Sequence, residues 1–207
     1  MIITIGHTKG GVGKSTLAFN IAHNLQQEGH DVAIIDLDFQ QTLYYINEIR
    51  GKSKEKIPML PVADIAMLVK YFQEHTGVLI VDVGGFDSDI NRTAIKYADE
   101  LIVPITNSIT EVLGFKTFEK ILKEESPVNA NIGMSVLLNR IHPLTRDFTV
   151  IKKAIGDKPH IRLLDTIVRS RKVYAESLGV GKSVLECKDE KAKEEIQGVC
   201  NELRCLR

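Results

Sequence analysis

The chain has 207 residues, 43% of them hydrophobic, and its 27 basic side chains are balanced by 27 acidic ones. This length and apolar content predict one globular domain over residues 1–207, with a sizeable buried core. Zero net charge excludes bulk attraction to nucleic acid, so any such role must come from a local patch.

Apolar runs and amphipathic stretches alternate along the chain, which predicts alternating strands and helices. The expected strands cover residues 1–6, 31–36, 78–83, 100–105 and 131–139, and residues 57–62 are a weaker candidate because of their two prolines. The expected helices cover residues 15–28, 42–50, 63–75, 88–98, 110–125, 145–155, 168–178 and 189–204.

The expected strands are apolar on both faces. That is typical of a mostly parallel central sheet flanked by helices, which makes a three-layer α/β fold. Ligands bind such sheets beyond the carboxyl ends of the strands. We therefore expect the chemistry directly after residues 6, 36, 83, 105 and 139.

Other segments exclude several classes of protein. No apolar run approaches the ~20 residues that span a bilayer, and the N-terminus lacks the basic region and cleavage signal of a leader peptide. The three cysteines lie late in the chain and form neither a disulfide framework nor a compact metal-binding pair. We therefore expect a cytoplasmic protein.

The segment after the first strand, HTKGGVGKST at residues 7–16, predicts a phosphate-binding loop. It departs from the pattern G-x-x-x-x-G-K-[ST] at Thr8, where a glycine is usual, and it carries an additional lysine, Lys9. Glycines at 10, 11 and 13 let backbone N–H groups turn toward phosphate oxygens. The helix that follows directs the positive end of its dipole to the same place.

Side chains at the end of this loop complete the prediction. Lys14 reaches the β- and γ-phosphates, the Ser15 hydroxyl ligates Mg²⁺, and Thr16 bonds the α-phosphate. The alternative is a glycine-rich turn with surface lysines, but the order of strand, loop, Lys-Ser-Thr and helix favours the nucleotide site. The predicted nucleotide-binding residues of the loop are Thr8, Lys9, Gly10, Gly11, Val12, Gly13, Lys14, Ser15 and Thr16.

Two carboxylates, Asp36 and Asp38, follow the second strand. Alternate residues of an extended segment share a face, so both carboxylates can point toward the phosphates, hold metal-bound water and orient an attacking water. The alternative makes Asp38 the N-cap of the helix from Thr42 and Asp36 a turn residue. Spacing alone leaves both interpretations open.

Asp82 ends the apolar run Val78–Val81, the pattern of a Walker B strand whose carboxylate supports Mg²⁺. Gly84 and Gly85 follow, and their backbone N–H groups are candidates to sense a γ-phosphate. After the strand 131–139, Asn139 and Arg140 are candidates to contact adenine, because an amide reads both its donor and acceptor edges. A simple turn at the strand end is the alternative for these two residues.

Together these segments resemble the ParA/MinD family of deviant Walker A ATPases, of the P-loop NTPase class. Four motifs support the resemblance: KGGVGKST with its signature lysine, DLDFQQ with Phe39 in place of the family's usual proline, VLIVDVGG, and SVLLNRIHP. The resemblance runs to about residue 186. It implies ATP and Mg²⁺ as cofactors and a homodimer that ATP holds together and hydrolysis releases.

The resemblance also implies roles for individual residues. Lys9 would reach the partner's phosphates while Lys14 acts in its own subunit, and Asp38 would position the attacking water. Ser15, Asp36 and Asp82 would support the metal. The catalytic set is therefore Lys9, Lys14 and Asp38, with slow turnover until a partner protein stimulates it.

Within this family, the chain resembles the short, ParF-like partition ATPases, which have no N-terminal helix-turn-helix. Residues 137–174 carry nine basic and three acidic side chains, a net charge of +6 that favours sequence-independent DNA binding. Arg169, Arg171 and Lys172 are the best DNA candidates because they cluster, and solvated helix faces are the alternative. The tail from residue 186 carries six acids and five bases, which predicts no membrane anchor.

These features favour a partition ATPase that binds nonspecific DNA as an ATP-bound dimer, associates with the nucleoid and works with a centromere-binding, ParB-like partner. A ParA-like ATPase that positions a protein cargo is an alternative, as is a MinD-like division-site regulator. A third possibility is a metabolic enzyme on the same fold, such as a dethiobiotin-synthetase-like ligase. An iron-protein reductase is disfavoured because its cysteine ligands are missing.

Overall fold

The computed structural model describes residues 1–85, 88–108, 115, 133–156 and 161–203. Its strands are β1 (Ile2–Ile5), β2 (Val32–Asp36), β3 (Val78–Asp82), β4 (Glu100–Ile105), β5 (Gly133–Ile141) and β6 (Ile161–Arg169). They form one sheet in the order β2-β3-β1-β4-β5-β6, and every neighbouring pair is parallel. The predicted parallel α/β architecture is confirmed.

The described helices are α1 (Lys14–Gln27), α2 (Thr42–Arg50), α3 (Ile65–Glu74), α4 (Asp89–Lys96), α5 (Thr149–Ile155), α6 (Lys172–Gly179) and α7 (Glu190–Glu202), with a 3₁₀ turn at Val184–Glu186. The helix predicted over residues 110–125 lies outside the described residues apart from position 115. Within the described ranges, no helix is long and apolar enough to cross a membrane.

The core lies on both faces of the sheet because successive strand residues point to opposite sides. Ile3 and Ile80 pack on the face covered by α1 and α7, where Leu17 and Ile196 are buried. On the other face, residues such as Leu79 pack against α3 and α4. Helices on both faces therefore leave the ends of the strands as the place for a ligand.

The sheet has a strand that the sequence analysis missed, because helical structure was expected beyond residue 139. β6 lies at the edge of the sheet, and its apolar alternation is broken by Arg162, Asp165 and Thr166. Residues 163–167 of β6 stand opposite residues 136–138 of β5, so β6 bulges there. The helix expected over residues 168–178 consequently begins later, at Lys172.

The candidate strand over residues 57–62 is wrong as an element. It contributes one bridge, between Met59 and Ile34 of β2. Two backbone hydrogen bonds make this bridge, from the Ile34 N–H to Pro58 and from the Leu60 N–H to Ile34. Prolines lack the N–H that a longer ladder needs.

Candidate functional site

A cavity of about 620 Å³ opens at the carboxyl edge of the sheet. Five described segments line it: the loop between β1 and α1, the segments that follow β2 and β3, the end of β5, and the segment from the end of β6 into α6. The predicted site therefore coincides with a real concavity. Its lining includes Gly10, Gly11, Gly13, Lys14, Ser15, Thr16, Asp38, Phe39, Gln40, Gly85, Asn139, Arg140, Arg169, Arg171 and Tyr174.

The loop between β1 and α1 has the backbone of a phosphate cradle. Gly11 and Gly13 have φ angles of 76° and 92°, a left-handed conformation that residues with a Cβ adopt only at a cost. Helix α1 starts at Lys14, and no described side chain caps its N-terminus. Its first N–H groups and the positive end of its dipole are therefore available to an anion.

The two lysines of the loop differ in exposure. Lys14 is buried, and its ammonium lies 3.5 Å from the carbonyl oxygen of Lys9. The Lys9 side chain is exposed. Gly85 packs against this part of the loop, since a Cβ there would stand 3.4 Å from the carbonyl oxygen of Thr8. The glycine turn after β3 thus adjoins the loop, where a phosphate sensor must be.

Asp36 caps helix α2 from the end of β2. Its Oδ2 accepts hydrogen bonds from the N–H groups of Leu43 at 3.0 Å and Tyr44 at 3.4 Å, and its Oδ1 accepts one from Asp38 at 3.1 Å. Burial raises the pKa of Asp36, and these backbone donors oppose the shift. Asp36 therefore takes the capping role that the alternative interpretation gave to Asp38.

Asp38 lies in the wall of the cavity. Its Oδ1 accepts a hydrogen bond from the Gln40 N–H at 3.0 Å, which fixes the turn that follows β2. The carboxylate is placed on the same cavity as Lys14. This arrangement fits a group that orients water, although its role in hydrolysis stays a prediction.

Asp82 is the most unusual group of the site. It is opposite Asp36 in the β2–β3 register and is fully buried, yet neither of its oxygens accepts a hydrogen bond from a described residue. Burial raises its pKa to about 7, with the Ser15 hydroxyl as the main opposing influence and the nearby Asp36 charge reinforcing the shift. Such an orphaned carboxyl group is costly unless a cation joins it.

The residues present fit a magnesium ion. Hydroxyl and carboxylate oxygens are its preferred ligands, and it keeps several waters when it binds with nucleotide phosphates. Ser15 and Asp82 would hold it, directly or through water. Asp36, opposite Asp82 at the end of β2, would support the metal site by fixing the segment that leads into helix α2. When bound, Mg²⁺ would neutralise phosphate charge during hydrolysis.

Asn139 and Arg140, predicted to contact adenine, hold the loop from the end of β5. The Asn139 amide donates to the carbonyl oxygen of Val12 at 2.7 Å, and the Arg140 guanidinium donates to that of Gly11. Arg140 has a left-handed φ of 56°. Both residues also line the cavity, so a contact with adenine stays a prediction.

The structure places the three DNA candidates at the β6–α6 junction. The Arg169 guanidinium donates to the carbonyl oxygens of His142 and Thr145, and Arg171 is paired with Glu195 at 2.8 Å. Both arginines line the cavity, whereas Lys172 is exposed. Lys158 of the basic segment lies outside the described residues.

Sequence reasoning missed Tyr174 and Glu195. Tyr174 lines the cavity from α6, and Glu195 on α7 lies behind this wall, where it accepts hydrogen bonds from Arg171 and Tyr174. No motif marks either residue, because their proximity arises only when α7 packs on β6.

A glycine-rich loop between a buried strand and a helix, with an acid ending a neighbouring parallel strand, defines a P-loop nucleotide-binding ATPase. Residues 3–184 match the family described as the CobQ/CobB/MinD/ParA nucleotide binding domain. The chain belongs to this family, as its resemblance to ParA/MinD proteins predicted. It is an ATPase whose cofactors are ATP and Mg²⁺.

Two curated relatives show the range of the family. Protein ParA of Rhizobium radiobacter is 28% identical over 160 residues, covering 74% of this chain and 72% of its own. Maintenance of carboxysome distribution protein A of Halothiobacillus neapolitanus is 25% identical, covering 97% of this chain and 95% of its own.

Solved structures agree on the fold. Apo McdA from Cyanothece superposes with a TM-score of 0.78 at 19% identity, covering 97% of this chain and 98% of its own. MinD from Pyrococcus horikoshii, complexed with Mg-ADP, has a TM-score of 0.72 at 18% identity, covering 99% and 96%. A putative plasmid partition protein of Borrelia burgdorferi, bound to AMPPNP, has a TM-score of 0.69 at 18% identity, covering 98% and 99%.

Proposed function

We propose that this ATPase is a partition protein of the ParA type. ATP joins two copies into a dimer, the dimer binds DNA without sequence preference, and a centromere-binding, ParB-like partner stimulates hydrolysis and release. The nucleotide then acts as a timer that moves plasmid or chromosome DNA over the nucleoid.

The observation that carries the proposal is the contrast between the two loop lysines. Lys14 is buried beside the cavity, whereas Lys9, on the same loop, has an exposed side chain. An exposed lysine at the rim of a phosphate site is placed to meet the phosphates of a second subunit, where it would offset charge and stabilise the transition state.

DNA binding is the less direct part of the proposal. Arg169 donates to carbonyl oxygens and Arg171 is paired with Glu195, so we expect the exposed basic residues to contribute more to DNA binding than these two arginines do. Binding through such exposed bases is expected to be salt-sensitive and independent of DNA sequence. Dimerisation would double the number of bases available to the DNA. Among the residues between 140 and 172 that the structure describes, the exposed bases are Arg140, Arg146, Lys152, Lys153 and Lys172.

The decisive experiment compares Lys9→Ala with Lys14→Ala. Light scattering measures the oligomeric state with ATP, nucleotide titration measures affinity, and filter retention measures DNA binding. We expect Lys9→Ala to bind nucleotide but to stay monomeric and release DNA, and Lys14→Ala to lose nucleotide affinity itself. If Lys9→Ala dimerises and retains DNA like wild type, the trans-acting lysine is wrong.

A positioning ATPase for a protein cargo is the second candidate. It is favoured by the likeness to the carboxysome distribution protein, which extends over 97% of this chain. A pulldown from the native host with ATP bound would separate the two, since a partition protein brings a centromere-binding protein and a positioning protein brings an assembly component.

A MinD-like regulator has less support. Helix α7 buries its apolar residues Ala192, Ile196 and Val199 in the core, so they are not available to a membrane. Co-sedimentation with liposomes in the presence of ATP would support a MinD-like function.

A further inference from the structure

Glu195 on α7 is the centre of a hydrogen-bonded cluster behind the nucleotide cavity. Its Oε1 accepts two bonds from the Arg171 guanidinium, at 3.0 and 2.8 Å. Its Oε2 accepts bonds from the Tyr174 hydroxyl at 2.9 Å and from the Arg169 N–H at 3.2 Å. The Glu195 side chain is 11% exposed, so these bonds form in a largely desolvated place.

All three donors line the cavity, and Glu195 stands behind them. Arg169 ends β6, Arg171 precedes α6, and Tyr174 lies in its first turn. This stretch is the wall that β6 and α6 contribute to the nucleotide site. Its position therefore depends on a carboxylate from the last helix of the described chain.

Glu202 provides a natural comparison on the same helix. Its carboxylate accepts the N–H groups of Asp165 and Thr166, both at 2.8 Å, where β6 bulges. Glu202 follows Glu195 by two helical turns, so the two share a face of α7. Gly198 lies between them, and a Cβ there would stand 2.7 Å from the Thr166 hydroxyl, so the helix approaches β6 closely.

Both glutamates thus cover unpaired N–H groups on the outer edge of β6, which an edge strand would otherwise expose. They differ in one respect. Glu195 also holds two side chains of the cavity wall, whereas the hydrogen bonds from Asp165 and Thr166 to Glu202 involve no lining residue. Variants of the two glutamates can therefore separate the effect of covering the β6 edge from the effect of ordering the cavity wall.

We infer that Glu195 is a positioning residue for the nucleotide site. By pairing with Arg171 and accepting from Tyr174, it fixes the orientation of a guanidinium and an aromatic ring before the nucleotide arrives. A wall that is already ordered loses less conformational freedom on binding. The inference rests on the ATP site itself and does not depend on the proposed DNA segregation.

The test compares Glu195→Gln with Glu202→Gln in the full chain. Each variant replaces one carboxylate oxygen with an amide, so each weakens hydrogen bonds from the backbone of β6, where Glu195 accepts one N–H group and Glu202 accepts two. Affinity for ADP, measured by calorimetry, reports on the cavity without dimerisation or DNA. We expect about a five- to tenfold loss for Glu195→Gln, and less than about a twofold change for Glu202→Gln.

Thermal unfolding and steady-state kinetics complete the design. Both variants should lower Tm, Glu195→Gln at least as much as Glu202→Gln because it also weakens the ion pair with Arg171. Only Glu195→Gln should raise the KM for ATP, with kcat within about twofold of wild type. Equal losses of ADP affinity in the two variants, or none in Glu195→Gln, would overturn the inference. DNA retention plays no part, so failure of the proposed function would show separately.

A second variant keeps the test decisive if Glu195→Gln does not fold. Tyr174→Phe removes one donor to Glu195 and keeps the ring in the wall. We expect an ADP affinity about two- to threefold weaker than that of wild type. An unchanged affinity would reject the positioning role.

Discussion

The side-chain amide of Asn139 donates a hydrogen bond to the carbonyl oxygen of Val12 across 2.7 Å, and both residues are buried. The two lie 127 positions apart in sequence, at the end of β5 and in the phosphate loop. A carbonyl engaged in this way does not face a phosphate. The bond therefore helps to keep the loop's N–H donors, and not its acceptors, directed at the nucleotide.

Gly13 is the position where this contact allows least change. A Cβ there would stand 2.5 Å from the Asn139 amide nitrogen, and the φ of 92° strains any side chain. We expect Gly13→Ala to lower the free energy of unfolding by about 1–3 kcal/mol and to weaken nucleotide binding by about tenfold or more. Urea denaturation and nucleotide titration measure the two effects.

Gly10→Ala is the matched control in the same loop. A Cβ at Gly10 would meet nothing within 4 Å, and its φ is not in the left-handed region. The apo protein should therefore keep its stability within about 0.5 kcal/mol. Equal unfolding midpoints for the two variants would show that neither the contact with Asn139 nor the backbone angle governs the loop.

Asp82→Asn should make the protein without nucleotide more stable and the enzyme inactive. Burial raises the folded pKa of Asp82 to about 7 from an ordinary value of 3.8. Between about pH 4 and 7 the folded state therefore binds more protons than the unfolded state, and stability falls as pH rises. At neutral pH we expect the variant to gain roughly 1–4 kcal/mol, while Mg²⁺-dependent ATPase activity is lost.

The gain should disappear as pH falls toward 4, which urea denaturation over a pH series would reveal. Asp36→Asn is the control, because burial also raises the pKa of Asp36, but its carboxylate accepts three backbone hydrogen bonds that an amide would partly lose. The change in its free energy of unfolding at neutral pH should be at least about 1 kcal/mol less favourable than that of Asp82→Asn. A destabilised Asp82→Asn would mean that the buried carboxyl is satisfied in the free protein.

Glu186 anchors α2 to the 3₁₀ turn and gives stability a second pH dependence. It is paired with Arg50 at 2.7 Å and Lys54 at 2.9 Å. Burial opposes the shift, but the hydrogen bonds from Arg50, Lys54 and the Ser183 N–H together lower the pKa of Glu186 to about 2. The pairing therefore stabilises the fold above pH 4.5, and its contribution is lost as pH falls from 4.5 to 2.

Glu186→Gln should consequently cost about 1–3 kcal/mol at pH 7, with the difference from wild type shrinking below pH 4.5. Chemical denaturation at several pH values measures this. Glu48→Gln is the control, since the Glu48–Lys56 pair is nearly half exposed on both sides. Its cost should stay under about 0.5 kcal/mol, and an equal cost for both variants would argue against the buried pairing.

Much of the site was predictable because it is local. The loop at residues 7–16, the acids after β2 and β3, and the alternation of strands with helices are properties of contiguous residues. Each follows from backbone geometry and from the requirements of phosphate and Mg²⁺. The family resemblance rests on the same segments.

Other features follow only from tertiary packing. β6 was missed because an edge strand with a bulge lacks regular alternation, and Asp36 proved to cap α2 where spacing alone left its role open. The burial that raises the pKa of Asp82 exists only in the assembled sheet, where β3 lies between β2 and β1. Glu195 lies behind the cavity wall because α7 packs on β6.

The sequence by itself therefore determined that this protein binds and hydrolyses a nucleotide, because the ten consecutive residues 7–16 contain the glycines, lysines and hydroxyl groups of a phosphate-binding loop. The tertiary structure alone decided how that loop is held, by Asn139 from one strand, and how the opposite wall is held, by Glu195 from the last described helix. The physical reason is that a hydrogen bond requires proximity in space. Residues 127 positions apart acquire that proximity only when the sheet is assembled.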